Sequence, residues 1–138
     1  MILGTFLITS CMENSKKSDK AVFTQNEDST STTGWQSHYD RMEATDLPDN
    51  VIDLIGKQWM LVTAGNKSSY NTMTAAWGAV GYMWSRPSTF IVVRDSRHTY
   101  QFLQREESFT LSFFTEEYRG ALRICGTKSG RDTDKVSE

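Results

Sequence analysis

The chain has 138 residues, enough for one domain with a single core but not comfortably for two. Its formal net charge of −2 gives no electrostatic footing for nucleic acid as the main partner. Two cysteines, Cys11 and Cys125, lie far apart and in no C-x-x-C, and the only histidines are His38 and His98, so the ligand spacing of a structural zinc site is missing and no metal site is expected.

Residues 1–11 form a short apolar run that ends in Ile8-Thr9-Ser10-Cys11. That ending is like a bacterial lipobox, which makes Cys11 the candidate for lipidation and the cell envelope the expected location. The run is short and lacks a basic start, so a plain tail on a cytoplasmic protein stays as the alternative. It is too short for a membrane span, which needs roughly 20 apolar residues; the only membrane contact expected is a lipid anchor at Cys11. Residues 12–46 are rich in Ser, Thr, Asn, Lys and Asp, and read as a flexible linker. Trp35, Tyr39 and Met42 are the side chains in it that could dock on the domain.

The folded part, residues 47–138, begins with Pro48-Asp49-Asn50 ahead of Val51, Ile52, Leu54 and Ile55, a short helix expected to end at Gly56. Residues 59–64 (WMLVTA) read as a strand bounded by Gly65-Asn66. Residues 72–83 (TMTAAWGAVGYM) read as one extended stretch kinked at Gly78 and Gly81, and residues 89–94 (TFIVVR) as a β-branched strand. A short helix is expected over 99–104, capped by Thr99 or Ser96. Residues 109–113 (FTLSF) alternate like a half-buried strand. Thr115 is then placed as the cap of a helix that carries Glu116 and Glu117 in its first turn, buries Tyr118, Leu122 and Cys125, and stops at Gly126. A further helix is expected beyond the loop that follows. Mostly β with short connecting helices predicts a barrel or sandwich, and no G-x-G-x-x-G follows a strand to support a Rossmann site.

Three segments place polar side chains at the ends of apolar strands. In Asn71-Thr72-Met73-Thr74-Ala75-Ala76-Trp77, short amide and hydroxyl groups could hydrogen-bond a planar heterocycle, or the stretch is simply a hairpin entering a strand. In Arg94-Asp95-Ser96-Arg97-His98-Thr99-Tyr100, two guanidinium groups and a helix start suit a phosphate, or the arginines pair with Asp95 in a solvated loop. The third segment, from Cys125-Gly126 through Ser129-Gly130-Arg131-Asp132-Thr133-Asp134-Lys135, can wrap a polar ligand or serve as a surface connection. Cys125 reads as a buried thiol.

Taken in order, these segments resemble the flavin reductase-like family of FMN-binding split barrels. The likeness also runs through Leu54 to Gly65 and through Phe109 to Phe114, and covers about Leu47 to Glu138. It implies a mainly β split barrel with short helices that binds FMN without a covalent bond, usually at a homodimer interface. Asn71, Thr72, Met73, Thr74 and Trp77 would then lie against the isoalloxazine. Arg94, Ser96, Arg97 and Thr99 would hold the phosphate and ribityl end, while Ser129, Gly130, Arg131, Asp134 and Lys135 would close over the site. No side-chain catalyst is implied, because the flavin carries the chemistry. The family's domain continues well past Asp134-Lys135, so this chain is expected to be an incomplete barrel at its C-terminus. The expected function is electron transfer from NADH or NADPH to flavin or another acceptor. The alternatives are a non-enzymatic FMN-binding electron carrier serving a protein partner, and a non-functional remnant.

Overall fold

A computed structural model of the chain describes Ser10, Cys11 and residues 42–137. Trp35 and Tyr39 lie outside the described residues. Met42 is exposed, and Ala44–Asp46 forms an exposed 3-10 turn.

Asn50 starts the first helix by accepting hydrogen bonds at Oδ1 from the backbone N–H groups of Ile52 (3.0 Å) and Asp53 (3.4 Å). The helix is α over Val51–Asp53 (α1) and continues as a π-helix over Leu54–Gln58. It therefore runs past Gly56, where the sequence suggested it would stop, and ends where Trp59 adopts a φ of 69°. Arg119 secures this uncommon conformation. Its Nη1 donates to the Gln58 carbonyl (3.1 Å), its guanidinium stacks 4.3 Å from the Trp59 ring centroid, and Glu116 pairs with it at 2.7 Å.

The main sheet is antiparallel. Ser10–Cys11 (β1), Met60–Asn66 (β2), Ser69–Ala75 (β3) and Ser108–Ser112 (β6) lie in the order β1-β6-β2-β3. Alternation along β2 buries Met60, Val62 and Ala64, and β6 adds Phe109 and Leu111 to the same core. The β2–β3 turn is closed by Asn66 Oδ1, which accepts from the N–H groups of Ser68 and Ser69 at 3.0 and 3.1 Å. Gly65, at φ 131°, has no room for a Cβ, which would fall 2.3 Å from Tyr70 Cα. Gly65→Ala is thus expected to destabilise the chain by about 2–4 kcal/mol, combining backbone strain with overpacking; an unchanged urea midpoint would show that the hairpin relaxes freely.

The stretch read as one kinked strand over 72–83 divides at Ala76-Trp77 into two sheets. Gly78–Met83 (β4) leaves the main sheet and pairs with Arg86–Ile91 (β5) as a separate hairpin through Trp84-Ser85, both at positive φ. The strand expected to reach Arg94 ends at Ile91, because β4 begins opposite it at Gly78. Beyond that, the Val92 N–H donates to the Trp77 carbonyl at 3.1 Å. Among the described residues the strands form two antiparallel sheets that do not close into a barrel.

The helices His98–Arg105 (α2) and Arg119–Thr127 (α3) pack on the main sheet, α2 over β2 and β3 and α3 over β3. Neither Thr99 nor Ser96 caps α2. Arg97 holds that position without a side-chain bond, and Thr99 turns inward. Likewise Thr115 precedes a 3-10 turn (Glu116–Tyr118) and donates to Glu117 Oε1 at 2.8 Å instead of capping it. Tyr118 is half exposed against Phe114, not buried. Gly126 lies inside α3, which ends one residue later at Thr127, whose hydroxyl donates to the Arg123 carbonyl (2.8 Å). The segment after α3 forms turns, not the further helix expected there.

Candidate functional site

Because α2 and α3 both pack against β3, the start of α2, the middle of β3 and the loop after α3 meet in one place. Asn71 is buried, and its amide donates to Thr99 Oγ1 at 2.7 Å, which fixes β3 to α2. Thr99, only 1% exposed, has in Asn71 the partner that a buried hydroxyl requires. Gly130 comes so close to Asn71 that a Cβ there would overlap the amide and crowd His98. Lys135 reaches back across the loop and donates to the carbonyls of Thr72 (2.8 Å) and Cys125 (3.1 Å), tying loop, β3 and α3 together. Ser129 shapes the loop itself. Its carbonyl accepts from the N–H groups of Asp132 and Thr133, and its hydroxyl accepts from the Arg131 N–H.

Two spaces result. A groove of about 550 Å³ runs between Ser68–Thr72 and Gly130–Val136. Beside it, a cavity of about 20 Å³ is lined by Asn71, Met73, Thr99, Cys125 and Gly126, with Arg97, His98, Lys128 and Lys135 supplying basic groups. Asn71 and Lys135 border both spaces.

Electrostatics follow from this crowding of cations. Burial, and the positive charges of Arg131, Lys135 and Arg105, hold His98 below its ordinary pKa, with Asp132 opposing. Burial lowers Lys135 as well, Cys125 opposing and Arg97 adding to the effect, and burial raises the Cys125 thiol, which is therefore held as a neutral thiol. At the N-terminal end of α3, the hydrogen bond from Arg119 holds Glu116 below the usual carboxylate range. A histidine or carboxylate depressed by folding contributes stability that is complete above its unfolded pKa and is lost as pH falls through the folded value. His98 and Glu116 share that sign, so the urea midpoint is expected to drop as pH falls from 7.5 to 4.5; a midpoint that rises would contradict both assignments.

Of the residues singled out in the sequence, Asn71, Thr72, Gly130, Arg131, Asp134 and Lys135 border the groove, and Met73, Arg97 and Thr99 the adjoining cavity. Others are placed elsewhere. Thr74 spends its hydroxyl on the Leu122 carbonyl (2.5 Å). Trp77 and Arg94 stack on each other at 5.4 Å and border neither space. Ser96 takes part through its carbonyl, which accepts from Arg131 Nη1 at 3.4 Å. Sequence reasoning did not select His98, Lys128 or Tyr70. The one signal for His98 was a titratable ring next to Arg97.

The family model described as "Flavin reductase like domain" matches residues 53–138. The chain belongs to the flavin reductase like family. No curated protein and no solved structure matches the chain significantly. The matched span holds β2 to β6, α2, α3 and the loop with Lys135, so every element bordering the groove is part of the flavin reductase like domain. The mainly stranded architecture with short helices and open antiparallel sheets agrees with a split barrel that is not closed within the described residues. Membership ties the domain to flavin. Among the described residues no helix is long and apolar enough to cross a membrane, and no cluster of acidic, His or Cys side chains could hold a metal ion.

Proposed function

We propose that this chain is an FMN-binding flavoprotein of the flavin reductase type, passing electrons from a reduced nicotinamide to flavin or another acceptor. The observation that supports this most is the meeting of β3, the start of α2 and the loop after α3 around a polar groove inside a flavin reductase like domain. The groove's volume lies in the roughly 300–1,000 Å³ range of small-molecule sites. The groove sets Arg131 and Lys135 beside Asp132 and Asp134, and the excess of basic groups, Arg97 and Lys128, lies at the adjoining cavity, so a phosphate-bearing ligand suits the end of the groove next to it. The cavity itself has room for little more than one water, so a phosphate would occupy the groove or displace the Ser129–Lys135 loop.

In this reading Arg97, Arg131 and Lys135 hold the phosphate and Asn71 and Thr72 border the ligand. Asn71 contributes rigidity through Thr99, and the loop from Ser129 to Lys135 shields the site from water. The bound flavin supplies the two-electron chemistry. Thr74, Trp77, Arg94 and Ser96 belong to the proposal only if the ring end reaches beyond the groove, which a Trp77→Leu titration tests. Arg97→Ala is expected to weaken FMN by about 1.5–3 kcal/mol; an unaltered dissociation constant would remove Arg97 from the site. Steady-state oxidation of NADH and NADPH with added flavin tests turnover. Bound FMN without turnover favours the second reading, an electron carrier with a protein partner.

The homodimer belongs to the same proposal, and the β4–β5 hairpin is the surface that favours it. Trp84 is 86% and Tyr82 73% exposed, and Trp77, Met83, Phe90 and Val92 are exposed beside them. The register, with Phe90 opposite Ala79 and Tyr82 opposite Pro87, puts Phe90 and Met83 on one face of the hairpin and Tyr82 on the other, with Trp84 at its tip. Sedimentation is expected to show a dimer that Trp84→Ser together with Tyr82→Ser converts to monomer; a monomeric parent chain would remove the dimer. Cys11, whose backbone pairs with Ser108, is proposed as the lipid-modified residue of an envelope protein, to be tested by the mass of the mature N-terminus.

A further inference from the structure

We infer that His98 takes up a proton when a phosphate monoester binds beside it, so that the ligand's affinity is linked to pH. This rests on the flavin nucleotide reading of the groove and adds to it a residue to which the family resemblance assigns no role.

The geometry is specific to His98. As the first residue of α2, its ring lines the small cavity with Arg97, Lys128 and Lys135, and no carboxylate lines that cavity. The ring stands edge-on to Phe102 at 5.2 Å between centroids, and its Cδ2 side lies against Gly130 of the loop. The Gln101 side-chain amide contacts Nδ1, one of the two ring nitrogens that exchange the proton. The charged groups acting on it are Arg131, Lys135 and Asp132 from the loop and Arg105 from its own helix. Arg97 and Lys128 share its cavity, as does the neutral thiol of Cys125 from α3. Burial and then the surrounding cations, opposed only by Asp132, favour the neutral ring when no ligand is bound.

A phosphate monoester brings about −1.5 to −2 charges at pH 7. Bound in the groove that adjoins this cavity, it offsets part of the surrounding positive charge and shifts the ring toward the imidazolium. One proton is then drawn from solvent on binding, and the Gln101 amide turns its oxygen to the newly protonated ring nitrogen. By linkage, the dissociation constant of FMN rises with pH across the interval between the ligand-free and ligand-bound pKa of His98, by at most tenfold per pH unit. Riboflavin, which lacks the phosphate, escapes this dependence. The phosphate's own second ionisation, near pH 6, runs the opposite way, so the window for measurement is roughly pH 6.5–8.5.

The test follows the His98 ring proton resonances by NMR across pH on the full chain, alone, with inorganic phosphate and with FMN, assigning them by their loss in His98→Gln. FMN and riboflavin dissociation constants are measured by fluorescence over the same range. The expected result is a titration midpoint at least one pH unit higher with FMN, and a several-fold weakening of FMN from pH 6.5 to 8.5 that His98→Gln abolishes. Saturable FMN binding with an unmoved midpoint would sink the linkage and leave the flavin reading intact. A midpoint raised by inorganic phosphate in a chain that ignores FMN would sustain the linkage and remove the flavin. No movement with either ligand would overturn the inference.

Discussion

Lys135→Met is expected to weaken FMN binding about 10- to 100-fold while changing stability by no more than about 1 kcal/mol. The two effects separate because of how the ammonium is held. It donates to the carbonyls of Thr72 and Cys125, which favours folding, yet its burial and the nearby Arg97 lower its pKa. A lysine whose pKa falls on folding has a charge that the folded state resists more than water does. Removing the charge relieves that cost and forfeits two hydrogen bonds, and the two terms oppose each other. A ligand phosphate has no such offset: it loses a charge-assisted bond of roughly 1.5–3 kcal/mol, which is the stated range in affinity. The check is a fluorescence titration of FMN beside a urea melt. A large loss of stability with unchanged affinity would make Lys135 a structural tie and nothing more.

Gly130→Ala is the converse case, in which binding and stability fall together. The added Cβ would overlap the Asn71 amide and press on His98. Asn71 is short and buried and cannot swing aside without giving up its 2.7 Å bond to Thr99, whose hydroxyl is then buried without a partner. That costs about 1–3 kcal/mol. The other escape is outward movement of the loop, which breaks the Lys135 bonds and opens the groove. Either route lowers the thermal midpoint, by roughly 4–8 °C per kcal/mol for a domain of this size, and weakens FMN. Asn71→Ala in the Gly130→Ala background should cost less than the sum of the two single changes, because the clash and the lost bond share one side chain. Strict additivity would show that Gly130 and Asn71 act separately.

The sequence made β2 and β6 legible because alternation in Met60-x-Val62-x-Ala64 and Phe109-x-Leu111 directly encodes which face is buried. It misplaced the boundary at Ala76-Trp77, reading Gly78 as a kink within one strand, because the change of sheet is decided by pairing with β5. Local capping rules failed at Thr99 and Thr115 for a related reason. Each hydroxyl had a better partner than the nearby N–H groups, Asn71 in one case and Glu117 in the other. Glycines at 56 and 126 look like helix stops, but tertiary packing carries both helices past them.

The candidate site was legible as three segments in the right order, not as a geometry. Nothing local in Asn71-Thr72 or Ser129 to Lys135 says that Gly130 will seat on Asn71 or that Lys135 will reach the Thr72 carbonyl, since these contacts cross some 60 residues of chain. For the same reason Thr74 could not be known to serve Leu122, nor Trp77 to pair with Arg94 away from the groove. His98 was hidden because its interest lies in the cations around it, most of which arrive from the C-terminal loop.

Titration of the full chain with FMN, followed by flavin fluorescence and accompanied by circular dichroism, reaches the central claim most directly. Saturable quenching that is diminished in Lys135→Met and in Gly130→Ala is the predicted result. A chain that is folded by circular dichroism and leaves FMN fluorescence unchanged at every concentration would contradict it.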